Sequence, residues 1–443
     1  MTNNCCSQAA APQEPNNRWE AVAERLNREC HCIHVDASLL QKQLDRALGE
    51  SHIPGGIIEQ RPNLLARFGV FATQRQIDEM ARIIQAVEQV VSVPAYRETV
   101  LGWAPEIARH EPGTLSVFFG YDFHLGPEGP RLVEINTNAG GAMLNTVLAN
   151  AQLACCDEVR GMMNGPVPIE HLEDSLLSMF IAEWEKSAAA RGRESLKTIA
   201  IIDTEPETQY LYPEFLLFQD LFARHGIEAF ILDPTQLAFH GNALWHQDRQ
   251  IDLVYNRLTD FDFSRPQHQA VRNAYLADAA VITPHPRAHA LYADKRNLVL
   301  MTDAALLRSW NVPDDVIETL VRGIPATVLV RAENAELLWS ERRKLFFKPA
   351  SGFGSRAVYR GDKVTKRVWE EILAGDYVAQ TLVLPSERRL IVERDSVDLK
   401  LDIRAYAYGG KIQLLAARMY QGQTTNFRTS GGGFAPIYTI PSP

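Results

Sequence analysis

Three groups of residues in this chain have the types and spacing for phosphate and hard-cation chemistry. The first is Lys348-Pro349-Ala350-Ser351-Gly352-Phe353-Gly354-Ser355-Arg356, a lysine at a strand end followed by a short loop. Glycines let backbone N–H groups approach a phosphate closely, and the lysine supplies a point charge. A plain β-hairpin loop has the same spacing, so Ser351, Gly352, Gly354 and Ser355 are candidates that need a second element beside them. The second group is Asp402, Arg404 and Arg418. Alternation puts 402 and 404 on one face of a strand, and the tight turn Gly409-Gly410 returns the chain towards Arg418. Charges among such apolar neighbours require partners, either one another or a ligand. If the partner is a ligand, the arginines suit a transferring phosphoryl group, where charge develops. The third group is Asp122, Glu134 and Asn136. Carboxylates and an amide oxygen suit octahedral magnesium bridging nucleotide phosphates. Glu134 and Asn136 share one strand face, and a hairpin would bring Asp122 back beside them.

The elements that must position these groups follow from periodicity. Trp19 to Asn27, Leu39 to Leu48 and Gln74 to Val93 read as amphipathic helices. Thr114 to Phe119 and Arg131 to Ile135 read as strands around Gly126-Pro127-Glu128-Gly129-Pro130, a hairpin carrying Asp122 on or just past its first strand. A helix over Ala142 to Asn150 follows. Thr198 to Ile202, Pro213 to His225, Glu228 to Leu232 and Ile251 to Tyr255 alternate strand, helix, strand, strand. A small parallel sheet over 197–285 is therefore expected, with Tyr255-Asn256-Arg257 at a carboxyl strand end as its candidate ligand contact. From Leu345 the pattern becomes antiparallel: Leu345 to Lys348, Ala357 to Arg360, Tyr377 to Val383, Leu390 to Val392, Leu399 to Tyr408 and Lys411 to Arg418. Gly409-Gly410 is a type I′ hairpin signature.

Taken together, the glycine segment, the Asp402–Gly433 block and the early Asp…Glu-Ile-Asn element resemble a circularly permuted ATP-grasp ligase. The order is similar to that of glutathionylspermidine synthetase, in its synthetase region, and eukaryotic glutathione synthetase shares the Glu134-Ile135-Asn136-Thr137 run. The resemblance spans roughly 115–145 and 290–435. It implies an α/β (α+β) fold with the small parallel subdomain inserted. The units would be a disordered tail at 1–17, a helical and metal-binding segment at 18–165, the subdomain at 197–285, and a nucleotide-binding core at 286–443. It further implies an ADP-forming carboxylate–amine ligase acting through an acyl phosphate, with ATP and Mg²⁺ as cofactors. Asp122, Glu134 and Asn136 would be the magnesium ligands, and Arg404 or Arg418 would steady the transition state. Lys295 and Lys348 would contact ATP, and the hinge Tyr377–Val383, through Gln380 and Val383, would hold the adenine edge. Asn426, Arg428 and Gly432 resemble the substrate-side loop of D-alanine–D-alanine ligase. Gly120 stands where glutathionylspermidine synthetases carry an arginine, and Gly352 where eukaryotic glutathione synthetase has a metal-binding glutamate. Two other readings stay open: a non-catalytic ATP-binding regulator of the same fold, and a phosphotransferase that stops at the phosphoryl step.

Composition bounds the partners. Of 443 residues, 54 are acidic and 45 basic, a net charge of -9 that argues against nucleic-acid or anionic-membrane binding through charge alone. No apolar run reaches the length of a membrane span. The first 17 residues have neither a basic nor an apolar signal-peptide region. Cys5-Cys6, Cys30, Cys32 and Cys155-Cys156 read as reduced thiols of a cytoplasmic protein, and Cys30-His31-Cys32-Ile33-His34 lacks the spacing of a zinc site. The expected partners are a small-molecule carboxylate and an amine, and homodimers are common in the family that the chain resembles.

Overall fold

The computed structural model describes residues 18–31, 33–48, 56–126, 128–153, 161–163, 165–191, 195–352, 357–392 and 395–442. The tail at 1–17, the paired cysteines at 5–6 and 155–156, Cys32, Gly354 and Ser355 lie outside the described residues.

Two antiparallel sheets face each other. The larger runs in the order Gly433–Ala435, Lys411–Tyr420, Asp395–Tyr408, Phe119–Gly126, Gly129–Asn136, with Ser386–Val392 paired to the first half of the 395–408 strand. The hairpin that carries Asp122 thus joins the late strands side by side, Arg404 opposite Asp122. The smaller sheet runs Thr327–Leu329, Tyr377–Thr381, Leu345–Pro349, Tyr359–Arg360 and packs on the helices Lys366–Ala374 and Ala335–Glu341. A third, parallel sheet has the order Val281–Thr283, Leu253–Asn256, Thr198–Ile202, Glu228–Leu232. A three-stranded antiparallel sheet over 238–251 precedes its 253–256 strand.

Alternation gives the large sheet one oily face and one charged face. Tyr121, Phe123, Ile135, Leu401, Ile403, Ala405, Ala417 and Met419 pack against the helices Gln74–Ser92 and Asp314–Gly323. The opposite face carries Asp122, His124, Glu134, Asn136, Asp402, Arg404 and Arg418. The alternation is interrupted once. Asp122 pairs with Glu134 but Phe123 pairs with Leu132, so Val133 is an extra residue, a β-bulge.

The helices at 74–92, 142–153 and 212–224 and the strands at 198–202 and 228–232 agree with the sequence expectation. Gly409 and Gly410 both take positive φ, 54° and 75°, as the type I′ turn requires. The strand expected at Thr114–Phe119 starts only at Phe119. Ser116 and Phe118 have φ of 86° and 54°. The buried Glu183 carboxylate accepts the N–H groups of Leu115 and Ser116, which a neighbouring strand would otherwise take. The third strand of the parallel sheet covers 253–256, because Arg249–Ile251 turns into the antiparallel sheet instead. Among the described residues no helix is long and apolar enough to cross a membrane.

Arg388 fastens the amino-terminal helix to the large sheet. Its side chain is 0% exposed and donates to the carbonyls of Leu26, Asn27 and Cys30 at the end of helix Arg18–Glu29, and to Gly69. Carbonyls at a helix end have no intrahelical partner, and a cation there also meets the negative end of the helix dipole. Arg388→Leu leaves them buried and unbonded. An expected loss of about 3 kcal/mol, from hydrogen bonds to a charged group, would appear as a lower urea midpoint with unchanged slope.

Candidate functional site

A cavity of about 420 Å³ lies between the two antiparallel sheets. The small sheet contributes Phe346, Lys348, Pro349 and the segment Gln380 to Pro385; the large sheet contributes Asp122, His124, Val133, Glu134, Lys400, Asp402, Arg418 and Tyr420. Lys295, Gly352, Val358, Arg360, Lys363 and the loop Gly422–Thr425 complete the wall. Six basic residues against three acidic ones make it a site for an anion, and Phe346, Leu382, Val383 and Leu384 give one part of it an apolar lining.

Two bonds in opposite directions hold the sheets around this space. Lys348 Nζ donates to Val133 O at 2.9 Å and to Gln380 Oε1 at 2.8 Å. The Val133 carbonyl belongs to the bulged residue, so the ladder's interruption coincides with the lysine's acceptor. Gln380 is held in turn by Thr327 Oγ1 at 3.2 Å. In the other direction His124 Nδ1 lies 2.8 Å from Val383 O. Burial pushes the His124 pKa below its ordinary value, so the neutral ring donates from Nδ1 to that carbonyl. Burial also lowers Lys348, to about 8, against the raising effect of Glu134. Lys295 is reached through a π-helical turn, His289–Ala293; its N–H donates to Ala350 O at 2.9 Å and its Nζ to Gly352 O at 3.1 Å.

The floor is an ion-pair network. Arg404 forks onto Asp122, Nε to Oδ1 at 2.7 Å and Nη2 to Oδ2 at 2.8 Å. Arg418 reaches Asp122 Oδ2 through Nη2 at 2.8 Å and Asp402 Oδ1 through Nε at 2.6 Å. Asn136 Nδ2 donates to Asp122 Oδ2 at 2.9 Å, and Thr425 Oγ1 to Asp402 Oδ2 at 2.6 Å. Burial raises the Asp122 pKa, but Arg404 and Arg418 outweigh it and hold the carboxyl below its ordinary value. Bidentate guanidinium–carboxylate pairs are among the strongest charge-assisted bonds, so the arginines are fixed before any ligand arrives.

No family model matches the chain, and no curated protein matches it. Among solved structures it is similar to a glutathione synthetase-like effector from Globodera pallida in its apo form, at a TM-score of 0.56 and 12% identity, over 92% of this chain and 98% of that one. The fold class is ATP-grasp. Two less similar structures are a putative gamma-glutamylcysteine synthetase from Methylobacillus flagellatus KT (TM-score 0.43, 9% identity, 82% of this chain and 86% of that one) and the ATP-grasp ligase PsnB with minimal precursor, Mg and ADP (TM-score 0.29, 12% identity, 54% of this chain and 88% of that one).

Within this ATP-grasp fold the sequence-derived residues fall into three sets. Lys295, Lys348, Gly352, Gln380, Val383, Asp122, Glu134 and Arg418 line the cavity. Arg404 and Asn136 stand behind Asp122, outside the lining. Ser351 is exposed at the start of the glycine loop. The third set lies in the loop after Tyr420. Asn426 spends its side chain inside its own loop, donating to Gln421 O and Thr424 O and accepting from Arg428 N. Gly432 is placed by packing, since a Cβ there would lie 2.5 Å from Met419 O. Thr425, one residue before Asn426, is the loop residue that reaches the floor. Arg257 braces the loop after Asn136, donating to Asn138 O at 3.2 Å. His124, Lys400 and Tyr420 were not singled out by sequence reasoning. Two-residue steps from Asp122, Asp402 and Arg418 would have found all of them.

Cation donors among these residues are few. No three His, Cys, Asp or Glu side chains converge among the described residues, so a divalent ion would depend largely on ligand oxygens. Glu134 lines the cavity with no hydrogen-bond partner among the described residues, and its chemistry fits such an ion.

Gly120 has a steric reason. A Cβ there would lie 2.6 Å from Ala139 Cβ and 3.1 Å from Arg404 Nε, so the Arg404 side chain occupies the space over the missing side chain. Gly120→Ala is expected to cost about 1–3 kcal/mol through overpacking, read from urea denaturation, and a crystal structure should show the Arg404–Asp122 fork displaced.

Proposed function

We propose that this chain is an ATP- and Mg²⁺-dependent carboxylate–amine ligase that forms an acyl phosphate and releases ADP and phosphate. The observation that carries the nucleotide part is the cavity between the sheets, apolar beside the 380–385 segment and cationic around Lys295, Lys348 and Arg418. Purine would lie against Phe346, Leu382 and Val383, and phosphates would meet the two lysines. The ligase part is supported by the fold likeness to a glutathione synthetase-like protein.

In this reading a substrate carboxylate oxygen attacks the γ-phosphorus and the bond to ADP breaks, leaving the acyl phosphate. The amine nitrogen then attacks the acyl carbon, phosphate departs, and the amine proton passes to solvent or phosphate. Arg418, with Nε and Nη2 anchored on carboxylates, would direct its remaining N–H groups at the transferring phosphoryl oxygens without reorganising. Lys348 would neutralise phosphate charge, and closure of the sheets would exclude water, which otherwise hydrolyses an acyl phosphate. Glu134 would be the residue that holds magnesium, which when bound would supply further charge neutralisation.

The test is turnover of ATP with magnesium against pools of amino acids, short peptides and polyamines. ADP and phosphate release that needs both an acid and an amine is the expected result. AMP and pyrophosphate, or phosphorylated product without an amine, would reject the ligase. Glu134→Gln should abolish turnover and leave the melting temperature within a few degrees.

Lys348 gives a pH dependence with a definite sign. The charged form binds phosphate, and it is depleted above about pH 8. ADP affinity, measured calorimetrically, should therefore be flat below pH 7 and fall about tenfold between pH 7 and pH 9. Lys348→Met should bind weakly and show no such fall.

A further inference from the structure

The residues expected to form one cation site do not have the same capacity to bind an ion. A carboxylate has about four lone-pair positions. Asp122 already accepts four hydrogen bonds: one from Arg404 on Oδ1, and one each from Arg404, Arg418 and Asn136 on Oδ2. Both guanidiniums are nearly enclosed, with 10% and 11% of their side chains exposed, as is Asp122 at 7%. A divalent ion on Asp122 would have to take the one remaining lone pair of Oδ1 or displace a donor from the crowded Oδ2, and in either case would stand beside two fixed positive charges, in a site where water screens little. Glu134 faces the same cavity from the neighbouring strand without any such donor among the described residues.

We propose that Asp122 is a positioning residue that holds Arg404 and Arg418 for the phosphoryl group, and that Glu134, not Asp122, is the carboxylate that meets the divalent ion. The geometry supports this division independently on the arginine side. Without Asp122 the two guanidiniums would repel each other, and Arg404 would have no acceptor among the described residues, whereas Arg418 would keep Asp402. Asp122 is thus the shared anchor of the pair, and Arg404 acts as a brace behind it rather than as part of the wall. The role given to Arg418 rests on the nucleotide reading above.

The experiment is Mn²⁺ titration followed by electron paramagnetic resonance, with and without the non-hydrolysable ATP analogue AMPPNP, together with calorimetric binding of AMPPNP in chelator. It compares the full chain with Asp122→Asn, Glu134→Gln, Arg404→Lys and Arg418→Lys. The expected result is that Glu134→Gln weakens Mn²⁺ at least tenfold while Asp122→Asn changes it by less than threefold. Metal-free AMPPNP should weaken at least fivefold in Asp122→Asn and in Arg418→Lys, and the variant carrying both changes should be no weaker than the worse single one. Asp122→Asn that weakens Mn²⁺ as much as Glu134→Gln, with metal-free AMPPNP unchanged, would overturn the assignment. If Asp122→Asn does not fold, the lysine variants decide. Each leaves Asp122 in place with fewer donors, and Mn²⁺ affinity should stay within threefold of wild type; a tenfold gain would mean that the released oxygens are ion ligands. Wild type that binds Mn²⁺ but no AMPPNP would sink the nucleotide reading and leave the Mn²⁺ comparison between Asp122 and Glu134 standing. Wild type that binds neither would sink both.

Discussion

A buried carboxylate between two buried guanidiniums sets the terms for the rest of this structure. Asp122, Arg404 and Arg418 come from three adjacent strands, and each is nearly sealed from water. Charges in that state are tolerable only while paired and fully hydrogen-bonded. The neighbourhood obeys that condition. Gly120 lacks a side chain because Arg404 lies over it, Asn136 turns its amide onto Asp122, and Asp402 carries Arg418 on one oxygen and Thr425 on the other. Under the proposed function stability and activity would be joined here, since the interactions that keep the sheet folded also fix the groups that a phosphoryl ligand would meet.

The cavity depends on a second constraint, the joining of two sheets that share no strand. Lys348 and His124 each cross the gap to a backbone carbonyl, of Val133 and Val383 respectively. The first is a charge-assisted bond, and a charged ligand at Lys348 would compete for its protons. The loop at 421–432 adds links of its own, through Thr425 to the floor and through Phe427, stacked on Tyr210 with ring centres 5.5 Å apart, to the parallel-sheet unit. The site is therefore bounded by the early hairpin, Lys295 and segments between 346 and 425, pieces far apart in the chain.

What the sequence disclosed and what it withheld have physical reasons. Strand alternation located Asp402 and Arg404 on one face, and oxygen-donor spacing located Glu134 and Asn136, because these depend on near neighbours. The cross-sheet partner of Lys348, Val133, lies 215 residues away, and no local pattern encodes it. Asn426 was expected at the substrate because its loop resembles the substrate-side loop of D-alanine–D-alanine ligase, a likeness of residue types that carries no information on where each side chain bonds. Its side chain closes its own loop, a role asparagine fills in many turns. The run before Phe119 looked like a strand because Val117 and Phe118 are apolar, yet burial is reached there by a bent segment held on Glu183.

Val133 has a consequence for how the 129–136 strand is read. On its early side Leu132 belongs to the oily face; three residues later Ile135 does, not Glu134. One supernumerary residue changes the parity of the strand, so that even-numbered positions pass from the hydrocarbon side to the charged side. Removing Val133 would restore plain alternation and leave Glu134 opposite Asp122 on the charged face, but it would take away the carbonyl that Lys348 reaches across the gap. The extra residue therefore serves the joint between the sheets, as a spacer that turns one backbone oxygen out of the ladder.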